Sequence, residues 1–178
     1  MTDDPLARFR AWHAERDHDF MALATASPAG RPSVRMVGLE RFDAAGFVFY
    51  TGVESRKGRE LAANPQAALC FFWPDAGRQV RVEGPVERAQ LDPEQAALAE
   101  ASDATQDEPV RSRAEAEARV AALRAQYGED ADPVPADWGA YRLVPDAYEF
   151  WEYREDKLHD RFRYRRDGDG WAVDRLFP

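Results

Sequence analysis

Short apolar runs separated by turns of a few residues constrain this chain more than any other feature. FMALATA (20–26), residues 35–39 and FVFYT (47–51) are joined through Ser27-Pro28-Ala29-Gly30 and Asp43-Ala44-Ala45-Gly46. Parallel strands need crossovers of about a dozen residues, so these runs are expected to form an antiparallel meander. AALCFFW (67–73), the alternating QVRVEGPVERA (79–89) and runs at 140–153, 161–166 and 171–176 add further strands. Asp167-Gly168-Asp169-Gly170 turns between the last two.

Helices interrupt the strands. Residues 5–17 place Leu6, Phe9, Trp12 and His13 on one stripe, and 55–64 opens on Ser55 as N-cap and stops at Asn64-Pro65. Residues 92–127, rich in Ala, Glu, Gln and Arg, read as two helices broken at 102–109. The sum is a mostly β (α+β) chain: an antiparallel barrel of seven or eight strands with inserted helices. With no repeat and no long linker, the 178 residues make one domain spanning 1–178.

The formal net charge is −9, from 24 Lys+Arg against 33 Asp+Glu. That balance excludes nonspecific binding to nucleic acid or to an anionic membrane, both of which reward a basic field. No run of about 18 apolar residues exists to cross a bilayer. Cys70 is the only cysteine, so a cytoplasmic protein without an internal disulfide is expected. His13, His18 and His159 lack the spacing of a metal site, and no Walker A, GxGxxG or GxSxG motif occurs.

Two constellations stand out. Arg35 and, some twenty residues on, Ser55-Arg56-Lys57 put a hydroxyl and cations at a helix start, which suits a phosphate. The other gathers Tyr148-Glu149-Phe150-Trp151, Lys157-Leu158-His159-Asp160-Arg161 and the ending Trp171…Arg175-Leu176-Phe177-Pro178. Taken singly, each also reads as a solvated helix start or as aromatic packing with surface ion pairs.

Together, RMVGLE (35–40), FVFYTGVESRKGREL (47–61), RQVRVEG (78–84), EFWEYREDKLHDRFRY (149–164) and WAVDRLFP (171–178) resemble the pyridoxamine/pyridoxine 5′-phosphate oxidase family. The resemblance implies an FMN-binding split β-barrel of Greek-key antiparallel topology, working as a homodimer with flavin at the subunit interface. Residues 140–178 would be the C-terminal dimerisation and flavin motif. Matching positions imply Arg35, Arg56 and Lys57 on the FMN phosphate and ribityl side, with further flavin contacts at Met36, Val37, Tyr50, Thr51, Gln79, Trp151 and Arg161. Gln106 matches another flavin-contacting glutamine once a shorter stretch is placed before it, although Asp107 stands where the family has serine. Lys157 and His159 occupy the catalytic positions over the substrate.

The sequence departs from the family at three places. Glu40 replaces a lysine that binds the substrate phosphate, and like charges a few ångströms apart cost about 1–4 kcal/mol at effective dielectrics of 80 to 20. Between Leu91 and Gln106 the chain is too short for the segment that completes the phosphate cradle. Lys157 replaces an arginine, keeping the charge but losing the planar fork. The expectation is an FMN-dependent oxidase that passes hydride to flavin from a small, unphosphorylated aromatic amine or alcohol, with reoxidation by oxygen. A genuine pyridoxine/pyridoxamine 5′-phosphate oxidase, with its phosphate site rebuilt around Arg111 or Arg113, is one alternative. A flavin-binding protein without turnover is the other.

Overall fold

The computed structural model describes residues 4–15, 18–90, 109–127 and 138–178. Its ten strands are β1 (Phe20–Ala26), β2 (Pro32–Gly38), β3 (Arg41–Asp43), β4 (Gly46–Gly52), β5 (Gln66–Trp73), β6 (Arg78–Ala89), β7 (Trp138–Leu143), β8 (Ala147–Glu152), β9 (Asp160–Asp167) and β10 (Gly170–Arg175). The helices are α1 (Pro5–His13), α2 (Arg56–Ala63) and α3 (Arg113–Tyr127). No described helix is long and apolar enough to cross a membrane.

Every strand pairing is antiparallel, in the order β10-β9-β8-β6-β5-β1-β2, with β7 and β4 continuing from the far half of β6. β6 creates this fork. Its first half pairs β8 (Arg78↔Glu152 to Glu83↔Ala147), whereas Val86–Ala89 pair β7. Gly84 sits at the fork, where a Cβ would collide with the Val144 carbonyl oxygen. The sheet thereby curls into an open half-barrel around an aromatic core that includes Phe47, Phe71, Trp73, Tyr148, Phe150 and Tyr164. α1 packs Phe9 into that core, its ring meeting Phe42, Phe47 and Phe71 edge-on at 4.9 Å. Asp4 caps the helix by accepting from the Leu6 N–H, and Pro5 starts it with the fixed φ that a first turn favours.

Three expectations need correction. β4 does not pair with β2: the chain leaves the ladder after Gly38, and β4 pairs with the short, unexpected β3 and with β7. The run 140–153 is two strands, because Val144-Pro145-Asp146 break the ladder and return the chain to the other half of β6. The first helix ends at His13 rather than at 17. In the 92–127 stretch, α3 accounts for the second expected helix, while 91–108, the loop 128–137 and with them Gln106 lie outside the described residues.

Candidate functional site

The cationic group assembles at one end of the half-barrel. α2 begins where Ser55 accepts a hydrogen bond from the Gly58 N–H at 3.2 Å. Gly58 is required there, since a Cβ would strike the carbonyl oxygens of Gly52 and Val53. That close approach seats the first turn of α2 on the end of β4, where Thr51 Oγ1 lies 3.4 Å from Ser55 Oγ and both residues are buried. Lys57 is also buried, 5% exposed.

Arg35 reaches this end from the inward face of β2, alternating with exposed Val34 and Met36. Its NH1 donates to Thr25 Oγ1 (2.7 Å) and to the Leu23 carbonyl (3.2 Å), and its NH2 to Ser33 Oγ (2.6 Å). Glu60 ties the set together. Its carboxylate accepts from Thr25 (2.5 Å), Ser33 (2.6 Å) and Arg56 Nε (2.9 Å) and lies 3.6 Å from Arg35. The Ser33 and Thr25 hydroxyls, followed by Arg56, hold the Glu60 carboxyl down at about 2 against the opposing effect of burial.

Arg35, Arg56 and Lys57 against Glu60 leave two net positive charges, which match the dianion of an FMN phosphate. The donor set therefore fits the cofactor that the motifs imply. Glu60, Thr25 and Ser33 did not emerge from the sequence reading. The spacing of Glu60 four residues after Arg56 was the available signal for the first.

The second group lies on the outward face of the sheet. Gln79, Trp151 and Arg161 alternate with buried Val80, Phe150 and Phe162, and the ladder sets them side by side as Gln79↔Trp151↔Arg161. Glu149 accepts from Arg161 NH2 at 2.9 Å, and the Phe177 carbonyl accepts from its NH1 at 3.1 Å, docking the C-terminus. Phe72 extends the row onto β5 opposite Gln79. Beyond it the outward face turns apolar through Cys70, Ala22, Met36 and Val34, with Met36 and Val34 61% and 68% exposed. A contiguous apolar face of this kind marks an interaction surface.

Lys157 and His159 sit in the connection between β8 and β9. The Trp151 and His159 ring centroids are 4.9 Å apart, which joins this pair to the row. The Arg154 N–H donates to His159 Nδ1 at 3.0 Å, so the neutral imidazole keeps its proton on Nε2 and offers a donor there. The connection is pinned further by the Arg154–Asp160 ion pair (2.6 Å) and by the Tyr153 N–H, which donates to the Gly77 carbonyl (2.8 Å). Lys157 takes the left-handed conformation (φ 65), the only non-glycine among the described residues to do so. Its Nζ donates to the Tyr153 hydroxyl at 3.2 Å. Tyr153 is a further residue the sequence reading passed over; nothing in its local pattern singles it out.

The remaining expected positions divide between the faces. Val37 and Thr51 point inward, and Met36 points outward. Tyr50 belongs to a smaller cluster with Val48 and Ala140, its hydroxyl accepting from Arg41 at 3.4 Å. Glu40 follows β2 and lines a cleft of about 270 Å³ with His13, Asp19, Leu39, Arg41 and Phe42. Desolvation in that cleft and the Asp19 carboxylate raise the Glu40 carboxyl above its ordinary value, while Arg41 opposes the rise.

Known proteins match this arrangement along the whole chain. Residues 9–153 fit the pyridoxamine 5′-phosphate oxidase family, and 138–178 fit the pyridoxine 5′-phosphate oxidase C-terminal dimerisation region. That region agrees with the expected homodimer. A pyridoxine/pyridoxamine 5′-phosphate oxidase of Gluconobacter oxydans is 46% identical across 98% of this chain and 94% of its own length. One from Rhodospirillum rubrum is also 46% identical, across 98% and 96%. Among solved structures, PhzG from Burkholderia lata, in complex with tetrahydrophenazine-1-carboxylic acid, superposes with a TM-score of 0.86 at 30% identity, covering 99% of this chain and 94% of that one. The chain belongs to the pyridoxamine 5′-phosphate oxidase family and is an FMN-dependent oxidoreductase of the split-barrel type.

Proposed function

We propose that the protein is a pyridoxine/pyridoxamine 5′-phosphate oxidase, which turns the CH₂–NH₂ or CH₂–OH group on the substrate ring into an aldehyde. The observation that carries this reading is the 46% identity, over nearly the full length of both chains, to relatives bearing that name. It reverses the weighting that Glu40 and the short 91–106 stretch favoured.

Bound FMN supplies a two-electron acceptor that oxygen can restore. The residues of the chain do the rest. Arg35, Arg56, Lys57 and the first turn of α2 hold the phosphate, and Glu60 keeps the two arginines in place. Trp151, Gln79 and Arg161 form the wall and polar edge against which a flat ring lies. Arg35 and this row face opposite sides of the sheet, which supports a flavin shared between two copies. His159 directs its Nε2–H at the substrate and so holds it as a donor. Lys157 places a cation beside it.

A second reading retains a specific observation. Glu40 stands where a phosphate-binding lysine is expected, and the PhzG relative was solved with an unphosphorylated aromatic ligand. The test is oxygen consumption by the FMN-loaded protein with pyridoxamine 5′-phosphate and with pyridoxamine. Turnover of the phosphorylated amine with the lower KM upholds the proposal. Preference for the unphosphorylated amine, or turnover of neither, overturns it.

A further inference from the structure

We propose that Lys157 captures the carbonyl product covalently, as a reversible imine, with the Tyr153 hydroxyl carrying the proton. The inference rests on the oxidase reading only for the source of the carbonyl, an aldehyde on a flat aromatic ring.

Several observations converge on this loop. The chain has two lysines, and Lys57 is buried in α2, whereas Lys157 is exposed beside the row expected to meet flavin and substrate. The resembling motif has arginine at this position, whose guanidinium stays protonated and forms no imine; a lysine amine does. Tyr153 Oη lies 3.2 Å from Lys157 Nζ, within the reach of a nucleophile and its proton-transfer partner. Its ring centroid is 5.1 Å from Nζ and 5.2 Å from the centroid of the His159 ring, which in turn lies 4.9 Å from Trp151, so the amine stands on one end of an aromatic cluster. The left-handed backbone at Lys157 is a conformation that a non-glycine residue holds at a cost, and such positions gather at working sites.

The step balances without an oxidant. The Lys157 ammonium first releases one proton to solvent; the Nζ lone pair then attacks the carbonyl carbon, and the π electrons move to oxygen. The nitrogen passes a proton to that oxygen through the phenol, giving a carbinolamine. A second proton transfer releases water and leaves a C=N bond. One water is lost for each imine formed, and hydrolysis or exchange with another amine reverses the step. A reactive aldehyde is thus retained until an amine or water takes it.

The test uses FMN-loaded protein with pyridoxal 5′-phosphate and, separately, pyridoxal as probes, cyanoborohydride as trap, and peptide mapping by mass spectrometry. The expected result is saturable labelling of Lys157 by at least one probe, about tenfold or more faster than Nα-acetyllysine in the same buffer. Tyr153→Phe keeps the ring and should slow labelling by about tenfold, while Lys157→Arg should abolish it, with FMN affinity unchanged in Tyr153→Phe. Labelling of Lys57 or the N-terminus instead, a rate no greater than that of acetyllysine, or indifference to Tyr153→Phe overturns the proposal. Oxygen consumption on the same samples separates the two readings. Capture without turnover sinks the oxidase assignment and leaves this site standing, and turnover without capture does the reverse.

Discussion

Glu60→Gln in the apoprotein tests the account of the cationic end most directly, because it changes one charge and almost no volume. The carboxylate accepts two hydroxyl hydrogen bonds of 2.5 and 2.6 Å and one guanidinium bond of 2.9 Å, and its side chain is 9% exposed. A carboxyl held at about 2 in the fold and at 4.5 when unfolded contributes about 3 kcal/mol at neutral pH if linkage is complete. Water at the barrel end reduces this to about 2 kcal/mol. The amide retains one acceptor oxygen but turns a donor toward donors, so most of that stabilisation should be lost. The sign follows from the depressed value: the contribution is present above pH 4.5 and disappears as the pH falls toward 2. Urea unfolding followed by tryptophan fluorescence should therefore show the variant about 2 kcal/mol less stable at pH 7, with the gap shrinking by roughly 40% at pH 3.5. Equal midpoints at pH 7, or a gap that widens on acidification, would refute the assignment of Glu60 as an ionised clamp.

Arg56→Ala removes a proposed phosphate donor and loosens Glu60, so the Kd for FMN measured by flavin fluorescence quenching should rise by about 10- to 100-fold. Glu40→Lys restores a cation where the resemblance implies a phosphate-binding lysine. It should tighten binding of pyridoxal 5′-phosphate to the FMN-loaded protein by about tenfold or more, and an unchanged titration would place Glu40 away from that phosphate. Val34→Glu combined with Met36→Glu puts carboxylates on the apolar outer face. Light scattering should then report a monomer, with FMN retention falling in parallel if the flavin is shared between copies.

The strands were legible because their alternation is clean: Val80 and Val82 face inward between Gln79 and Arg81 just as the sequence implies. Partnership was less legible than existence. Tight turns indicated antiparallel pairing, but the chain leaves the β2 ladder after Gly38 and β4 takes different neighbours, and no local pattern carries that information. The Gln79–Trp151–Arg161 row shows the converse, since residues more than seventy positions apart fall side by side once the ladder register is known. Glu60 and Tyr153 were missed because each acts through residues brought to it by the fold. An i,i+4 partner for Arg56 is readable, but the hydroxyls of Thr25 and Ser33 arrive from β1 and β2.

A carboxylate inside an anion site, in a chain of net charge −9, becomes intelligible when distances are considered. Charges beyond about 8 Å are largely screened at physiological ionic strength, so the acidic surface contributes little to a phosphate at the barrel end. In the proposed site the nearby charges are those of Arg35, Arg56 and Lys57, with the first turn of α2. Arg35 and Arg56, both within 3.6 Å of Glu60, would repel one another without that counter-charge and strain the geometry that binding needs. Glu60 relieves that repulsion between the arginines before any ligand arrives. What remains is a site of two positive charges whose donors are already fixed in place, so less ordering has to accompany phosphate binding. On this argument Glu60 weakens the raw attraction for FMN and improves the geometry through which that attraction acts.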